Sequence, residues 1–343
     1  MPSTHVSFRS KVRQLLIRCL SLIAVPHLFR WLHRDQVAVL MYHGVMPDEV
    51  TAAEGDCLQV RASNFRQQME YLKQHYEVCS LHEAHSRLGQ PGAKPRAVVT
   101  FDDGYANNYL TAFPILKELG IPATIFLVTG KIGTDKVFWW DRLHLATRGT
   151  VPVGVEFTET LKRVRPQAVE DQADGYLRRL GLAVDHAETK YYQVLDRDQI
   201  SAMAASGLVE FGCHNHDHEP LNTLHWQEIE ATLKQSTAYL EALVGPVRYF
   251  AAPYGEYDNY TFPSLRLFHF ELALSTEEGF LSTTSDRFRI PRLGIVRDAS
   301  LDEFACLTSG FMPWLHRCKA LLGLRLRRAV VDHASHATES KQS

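Results

Sequence analysis

The sequence predicts an α/β fold in which parallel strands alternate with helices and close into a barrel. Three observations lead to this prediction. Short apolar runs of strand length recur along the chain, helical patterns separate them, and polar residues follow several of the runs. Strands of a parallel sheet are buried on both faces and therefore read as continuous hydrophobic runs. Regular alternation of strand and helix implies parallel pairing with right-handed crossovers.

The first half of the chain supplies the first predicted strands. They cover residues 37–41, 78–81, 97–101 and 123–128. A polar loop is expected after the first strand, through Asp56. Helices are predicted where apolar residues recur every three or four positions, as at Phe65, Met69 and Leu72.

The second half continues the pattern after an interruption. Residues 131–197 lose the alternation and are interpreted as an insertion or lid. Further strands are predicted at 208–211, 249–252, 270–274 and 289–296, with a helix over 225–244. The total of roughly seven strands fits a β/α barrel.

Composition bounds the class of protein. The chain has 343 residues, of which 45% are hydrophobic and 22% are charged, as in globular proteins. A formal net charge of −2 argues against a nucleic-acid binder. The six cysteines include no CxxC pair, which favours a reducing compartment. No apolar run reaches 18 residues, so no transmembrane helix is predicted.

Both terminal segments combine apolar residues with basic ones. Residues 12–31 resemble a signal peptide in composition, but Arg18 interrupts the apolar core and no clear cleavage site follows. A retained amphipathic helix is therefore expected, with a second one over 314–331. Such helices suit a peripheral contact with a membrane. The protein is therefore expected in the cytoplasm, in contact with the inner face of the membrane. The alternative is that both simply pack on the domain.

The predicted organisation has three parts. A basic amphipathic helix occupies residues 1–35, and the barrel occupies 36–310 with the insertion at 131–197. A second basic amphipathic helix and a disordered tail occupy 311–343.

Two adjacent carboxylates, Asp102 and Asp103, end the apolar run at 97–101. Enzymes with parallel sheets place their chemistry at the carboxyl ends of strands. One carboxylate can bind a cation while its neighbour handles protons. The alternative is an ordinary Asp-Gly turn.

Two histidines, His214 and His218, follow the run at 208–211. Histidines at positions i and i+4 share one face of a helical turn and can coordinate one cation together. A carboxylate added to this pair gives a facial set with open positions, which suits Zn²⁺ or another divalent transition metal.

Three pieces of the chain resemble the polysaccharide deacetylase family, the NodB-homology carbohydrate esterases. They are Thr100-Phe101-Asp102-Asp103-Gly104-Tyr105, His214-x-x-x-His218, and Phe250-Ala251-Ala252-Pro253-Tyr254-Gly255. Their order agrees with the family, and the resemblance covers about residues 36–310. It implies an irregular (β/α)7-type barrel and metal-dependent hydrolysis of an N-acyl group on an amino sugar, usually N-acetylglucosamine.

The resemblance also implies the role of each motif residue. Asp103, His214 and His218 would bind one divalent metal, with Zn²⁺ expected first and Co²⁺, Ni²⁺ or Mn²⁺ as alternatives. Asp102 would be the general base, and the backbone N–H of Tyr254 would stabilise the oxyanion.

Two positions depart from the family pattern. Ala251 stands where the family commonly has an arginine that orients the base, and Val296 stands where it commonly has a histidine that acts as general acid. Candidate proton donors are then His43, Asp298 and Asp217, or the protonated Asp102 itself.

Other residues carry weaker predictions. Trp139 and Trp140 form either a sugar-stacking platform or packing between the insertion and the barrel. His43 and Pro253 are further predicted substrate contacts. Arg292 could replace the missing arginine, although a surface or packing role is favoured. Asn215 is expected only to shape its loop, and His216 is not expected to be a ligand.

The sequence therefore predicts an N-deacetylase that acts on a polysaccharide or a lipid-linked glycan in surface-polysaccharide biosynthesis. Three alternatives remain open: a sugar N-deformylase acting on a lipid-linked substrate, a catalytically impaired carbohydrate-binding member, and a metal phosphoesterase. The phosphoesterase would more often need a second metal site, and the sequence shows no second ligand cluster.

Overall fold

The apolar runs form a parallel sheet that closes into a seven-stranded barrel. The computed structural model of the protein describes residues 25–90, 92–148, 153–184, 189–256 and 265–321. The strands are β1 (Val37–Tyr42), β2 (Gly44–Met46), β3 (Gln59–Arg61), β4 (Glu77–Val78), β5 (Arg96–Phe101), β6 (Ala123–Leu127), β7 (Val209–Cys213), β8 (Tyr249–Ala251), β9 (Leu272–Glu278) and β10 (Ile290–Gly294). The barrel order is β1-β10-β9-β8-β7-β6-β5, and β5 pairs back with β1 to close it.

Helices surround the barrel. They are α1 (Val25–Leu32), α2 (Ala62–His75), α3 (Leu81–Ser86), α4 (Phe113–Leu119), α5 (Trp139–Thr147), α6 (Val155–Lys162), α7 (Pro166–Leu180), α8 (Arg197–Ala205), α9 (Trp226–Val244), α10 (Leu301–Thr308) and α11 (Phe311–Leu321). Ser80, Asp196 and Ser300 start α3, α8 and α10 with reciprocal side-chain caps. The predicted (β/α)7-type barrel is therefore confirmed.

Alternate residues of each strand pack on two sides of the sheet. Val37, Val39 and Val98 belong to one buried cluster inside the barrel. Leu40 and Val99 belong to a larger cluster beneath the surrounding helices. Burial on both faces explains why the strands read as unbroken apolar runs.

The loop predicted after the first strand, through Asp56, contains the short strand β2, and β3 follows just beyond it. β2 and β3 pair in parallel as a separate two-stranded sheet. Val45 and Met46 are fully buried, so their apolar side chains belong to the core. The prediction of a polar loop was wrong at β2, because two apolar residues are too short a run to indicate a strand.

The segment at 131–197 contributes helices α5, α6 and α7. Glu170 on α7 forms ion pairs with Lys131, at 3.1 Å, and with Arg142 on α5. An isolated bridge between Tyr105 and Val194 attaches the end of the segment to the loop after β5. The segment is thus fastened beside the mouth of the barrel, and its interpretation as a lid stays a prediction.

The predicted terminal helices lie partly outside the described residues. α1 and α11 fall within the predicted segments 1–35 and 311–343, whereas residues 1–24 and 322–343 are not described. Within the described residues, no helix is long and apolar enough to cross a lipid bilayer.

We expect Gly255→Ala to destabilise the fold more than the same change at Gly207. Both glycines have positive φ, 68° and 70°, so alanine costs about 1–2 kcal/mol in backbone strain at each. A Cβ at position 255 would also lie 2.7 Å from Cβ of Thr276, whereas nothing lies within 4 Å at position 207. Overpacking should add about 1–3 kcal/mol at Gly255 alone. Urea unfolding of both variants measures the difference, and equal losses would contradict the predicted clash.

Candidate metal centre and active site

The carboxyl ends of four strands bring the predicted site residues to one mouth of the barrel. Asp102 and Asp103 follow β5, His214 follows β7, and the turn Pro253–Gly255 follows β8. His43 follows β1. In a parallel barrel all these ends lie on the same side, so residues far apart in sequence become neighbours.

Asp103, His214 and His218 form the centre of the site. Oδ1 of Asp103 lies 3.4 Å from Nε2 of His214 and 3.2 Å from Nε2 of His218. The three ligand atoms all lie within 4.8 Å of one another, and all three residues are buried. The arrangement is close enough for a single cation to contact all three.

A strained turn places the two carboxylates. Asp103 has φ of 70°, and the N–H of Gly104 donates across it to the carbonyl of Asp102, at 2.8 Å. Three-residue turns with a positive central φ are rare and costly in energy. The turn ends β5 and gives the side chains of Asp102 and Asp103 different surroundings.

The predicted helical turn from His214 to His218 was wrong. The segment is an irregular loop in which Asn215 and His218 have positive φ, 63° and 61°. The Asn215 amide donates to the carbonyl of Glu219, at 2.8 Å, so this residue does shape its loop. Asparagine tolerates the left-handed region better than most residues, and its side chain can hold a turn. The two imidazoles converge through loop geometry rather than helical spacing.

A backbone contact orients the His214 ring. Its Nδ1 lies 2.7 Å from the carbonyl of Ala251, which can only accept, so Nδ1 carries the proton. Nε2 is then the unprotonated nitrogen of the neutral ring and faces Asp103. Outer contacts of this kind set the tautomer of metal-binding histidines.

The charges of the site are strongly coupled. Burial raises the pKa of Asp103, but the imidazoles of His214 and His218 outweigh burial and hold that pKa well below its usual value. Burial lowers the pKa of His214, yet Asp103 and Asp102 outweigh it and raise the pKa of that imidazole. For His218 burial prevails, and its pKa is lowered. Asp103 is therefore an anion at neutral pH.

Asp102 is held by a buried arginine. Two guanidinium nitrogens of Arg292 donate to its two carboxylate oxygens, each at 2.7 Å. Nε of Arg292 donates to the carbonyl of Ser275, at 2.8 Å. Burial raises the pKa of Asp102, but Arg292 outweighs burial and lowers it. The pair fixes the carboxylate in one orientation and keeps it ionised.

The favoured interpretation of Arg292 as a surface or packing residue was wrong. The residue is 1% exposed and lies on β10, and it contacts the carboxylate that the arginine missing at Ala251 would orient. A signal was present in the sequence. Arg292 stands two positions after Ile290, and residues two apart in a strand face the same side. An arginine in the inward-facing register of a buried strand needs an anion.

The candidate proton donors differ in burial. His43 is buried, and it follows Tyr42, whose carbonyl accepts from the N–H of Asp102, at 3.0 Å. Asp217 and Asp298 are exposed. His43 is thus the candidate histidine that the fold places beside the two carboxylates.

The turn after β8 lies against the metal-ligand candidates. Pro253 is buried, and Tyr254 has φ of 56°. The Tyr254 ring lies 4.5 Å from the His218 ring, between centroids. Lys162 of α6 approaches the Tyr254 ring to 5.6 Å. The inserted segment therefore contributes a residue to the wall of the site, whereas the predicted oxyanion role of the Tyr254 N–H stays a prediction.

Trp139 and Trp140 are buried rather than displayed at the surface. Their exposed fractions are 4% and 7%. The Trp140 ring lies 4.9 Å from the His218 ring, and its Nε1 donates to the hydroxyl of Tyr105, at 2.9 Å. That hydroxyl donates to Asp141, at 2.8 Å. The contacts favour packing between insertion and barrel, and sugar binding by Trp140 stays a prediction.

The donor set fits a divalent transition metal. Both carboxylate oxygens of Asp103 are buried and accept no hydrogen bond from the described part of the chain. A buried anion without such partners calls for a cation. Two imidazole nitrogens and one carboxylate oxygen with open positions suit Zn²⁺ and the related ions.

The family is settled by comparison with known proteins. A family profile described as "Polysaccharide deacetylase" matches residues 89–273, which is more than half of the chain. The chain belongs to the polysaccharide deacetylase family. The matched range contains Asp102, Asp103, both metal-ligand histidine candidates and the turn after β8.

Curated relatives carry a more specific name. A poly-β-1,6-N-acetyl-D-glucosamine N-deacetylase of Escherichia coli (strain K12) is 29% identical over 288 residues, which cover 80% of this chain and 38% of that protein. A protein of the same name from Staphylococcus aureus (strain MRSA252) is 24% identical over 251 residues, covering 70% of this chain and 69% of that protein. The chain thus spans little more than a third of the length of its Escherichia coli relative.

Solved structures share the barrel. The Streptococcus pyogenes deacetylase PplD in complex with acetate aligns with a TM-score of 0.57 and 20% identity, covering 80% of this chain and 98% of that one. IcaB from Ammonifex degensii aligns with a TM-score of 0.53 and 24% identity, covering 80% and 97%. At these identities the likeness establishes the fold.

We expect Arg292→Met to destabilise the protein by about 3–5 kcal/mol, because it leaves the buried carboxylate of Asp102 without a counter-charge. Without Arg292, burial should raise the pKa of Asp102. As pH is lowered, activity that requires the ionised carboxylate should therefore begin to fall at a higher pH in the variant than in the wild type. Thermal unfolding and a pH–rate profile measure the two effects. The matched control is Arg289→Met, which removes an exposed ion pair with Glu277 and should cost about 0–1 kcal/mol. Equal losses in both variants would contradict the role assigned to Arg292.

We expect Asp141→Asn to change how stability depends on pH. Burial, and then the charge of Asp56, raise the pKa of Asp141 well above its usual value. Between the unfolded-state pKa and this higher value, the unfolded chain releases the proton and the folded protein keeps it, so the contribution of Asp141 to stability falls as pH rises. The variant should therefore gain stability relative to the wild type from pH 4 to pH 8. Urea unfolding measured from pH 4 to pH 8 tests this expectation, and Asp135→Asn, at an exposed aspartate, is the matched control. If the free energies of unfolding of Asp141→Asn and wild type depend on pH in the same way, the expectation is refuted.

Proposed function

We propose that the protein is a metal-dependent hydrolase that removes N-acetyl groups from amino sugars of a polysaccharide. The observation that carries the proposal is the convergence of Asp103, His214 and His218 beside a carboxylate, Asp102, that Arg292 holds in place. An acid–base group next to a cation site is the arrangement that metal-assisted hydrolysis requires.

The proposed roles divide between the two carboxylates. Asp103 holds the metal with both histidines, and a bound divalent cation would polarise the substrate carbonyl and lower the pKa of water toward about 7. Asp102 accepts the proton of the attacking water. Arg292 favours this role because it keeps the carboxylate ionised and fixes its direction without covering the metal ligands.

Two further groups complete the proposed reaction. The backbone N–H of Tyr254 donates to the carbonyl oxygen of the acyl group as negative charge develops there. His43 is proposed as the group that protonates the leaving amine. Its burial beside Asp102 and Asp103 supports it over the exposed Asp217 and Asp298.

The proposed substrate is a polymer of N-acetylglucosamine. The names of the Escherichia coli and Staphylococcus aureus relatives support a β-1,6-linked chain in exopolysaccharide biosynthesis. A lipid-linked glycan remains the alternative acceptor. Zn²⁺ is the proposed metal, since the two-nitrogen, one-oxygen set matches it, with Co²⁺, Ni²⁺ and Mn²⁺ as alternatives.

The proposed location is the cytoplasm, at the inner face of the membrane. Cell fractionation with an antibody to the mature protein tests it. Recovery outside the cell with a shortened amino terminus would overturn it.

We expect Asp103→Ala to lose both bound metal and activity, because it removes the anionic ligand of the centre. Asp102→Asn should keep the metal and lose turnover, since an amide cannot accept the proton. Metal analysis of the purified proteins and acetate release from N-acetylglucosamine oligomers measure both outcomes. An Asp102→Asn variant that turns over like the wild type would refute the role of the base.

The same assay separates the alternatives. Formate release from N-formyl substrates without acetate release would establish the deformylase. Metal-replete wild type that binds amino-sugar oligomers but releases no acid would establish a non-catalytic binding protein. A non-catalytic protein was considered because the family's usual arginine and histidine are replaced by Ala251 and Val296. Arg292 removes the first of these reasons, because it supplies a guanidinium to Asp102.

A further inference from the structure

Exposed apolar side chains gather on the two terminal helices. Among the described residues, ten large hydrophobic side chains are exposed, and four of them are Leu28, Trp31, Leu32 and Trp314. Trp31 is 60% exposed and Trp314 is 49% exposed. Exposed apolar clusters of this kind mark interaction sites more often than isolated apolar residues do. We call these four residues the terminal-helix surface.

Three of the four residues share one face of α1, and the fourth lies on the neighbouring helix α11. Leu28, Trp31 and Leu32 are spaced by three and four along α1 and therefore share its outward face. The Trp314 ring of α11 lies 5.5 Å from the Phe29 ring of α1, between centroids. The opposite face of α1 is packed, with Pro26 and Arg30 buried. The helix is thus anchored on the protein and presents apolar residues outward.

Charge is segregated into the same two segments. Residues 1–34 and 311–331 contain eleven lysines and arginines and no aspartate or glutamate: Arg9, Lys11, Arg13, Arg18, Arg30, Arg34, Arg317, Lys319, Arg325, Arg327 and Arg328. All 39 acidic residues of the chain lie elsewhere. The rest of the protein is therefore net negative, and the terminal segments are positive.

The patch lies at the end of the barrel away from the active site. The His27 ring of α1 lies 5.9 Å from the His75 ring at the end of α2. His33, just after α1, bonds through Nδ1 to the carbonyl of Ser309, after α10, at 3.1 Å. Because α2 and α10 run back from the mouth after β3 and β10, their carboxyl ends lie at the amino ends of the strands.

We propose that the terminal-helix surface docks the protein on a lipid bilayer that contains anionic lipids. Tryptophan and leucine suit the boundary between headgroups and acyl chains, and arginine and lysine are attracted to anionic headgroups. Charge complementarity selects this partner over a second copy of the chain, because two copies would bring like charges together. The catalytic mouth then faces away from the lipid.

The test is co-sedimentation of the full chain with vesicles of phosphatidylglycerol and phosphatidylethanolamine. Wild type should pellet with these vesicles, should bind phosphatidylcholine vesicles at least about tenfold more weakly, and should be released by high salt. Failure of the wild type to bind the anionic vesicles overturns the proposal.

Two variants assign the binding to the surface. Leu28→Ser, Trp31→Ser and Leu32→Ser combined should weaken vesicle binding by about tenfold or more, because three apolar side chains no longer enter the bilayer. Trp226→Ser, at another exposed tryptophan, is the matched control and should bind like wild type. Arg34→Glu with Arg317→Glu should weaken binding too, whereas Lys234→Glu on α9 should not. Wild-type binding by the triple variant overturns the proposal.

Two readouts separate the other outcomes. Sedimentation velocity without lipid that finds a wild-type dimer and a monomeric triple variant would assign the surface to a second copy and overturn the lipid proposal. Acetate release from soluble oligomers should be equal in the triple variant and wild type, because the active site is untouched. Lipid binding without acetate release would count against the proposed function alone.

Discussion

Two adjacent carboxylates buried at the end of β5 impose the constraint on which the site depends. Burial of each charge costs several kcal/mol unless a counter-charge is close. The turn at Asp103 separates their surroundings, so that Asp102 faces Arg292 and Asp103 faces two imidazoles. One carboxylate is compensated by the protein itself, whereas the other is left with oxygens that a cation can take. The different roles proposed for Asp102 and Asp103 follow from this difference.

Sequence reasoning reached the parallel barrel and the motif residues because both depend on local signals. Strands buried on both faces leave unbroken apolar runs, and polar residues such as Asp103 and His214 stand directly after them. Arg292 was misjudged because its partner lies 190 positions away, and no local pattern states which anion an inward-facing arginine will meet. The contact depends on barrel closure, which places β10 in the same ring of strands as β5.

The loop from His214 to His218 illustrates a different limit. Spacing of four suggests a helical turn, but positive φ at Asn215 and His218 gives another path to the same convergence. Asp103 and Tyr254 also have positive φ, so four non-glycine residues of the site adopt sparsely populated backbone conformations. Such strain persists where the surrounding structure holds it, and it clusters at functional sites. The chemical character of these four side chains pointed to a site, whereas the positive φ of their backbone could not be predicted from the sequence.

If the protein docks on a bilayer as proposed, the position of α1 sets how far the catalytic mouth stands from the lipid. A six-residue strand such as β1 rises about 20 Å, so the barrel separates the patch on α1 from the catalytic mouth by roughly that distance. A protein seated on a bilayer through α1 would hold its catalytic centre well above the headgroups. A sugar attached directly to a lipid would lie below that height, whereas units farther along a growing chain would reach it. Under the proposed function and the proposed docking, elongated polymer would therefore be a better substrate than the first sugars of a membrane-anchored precursor.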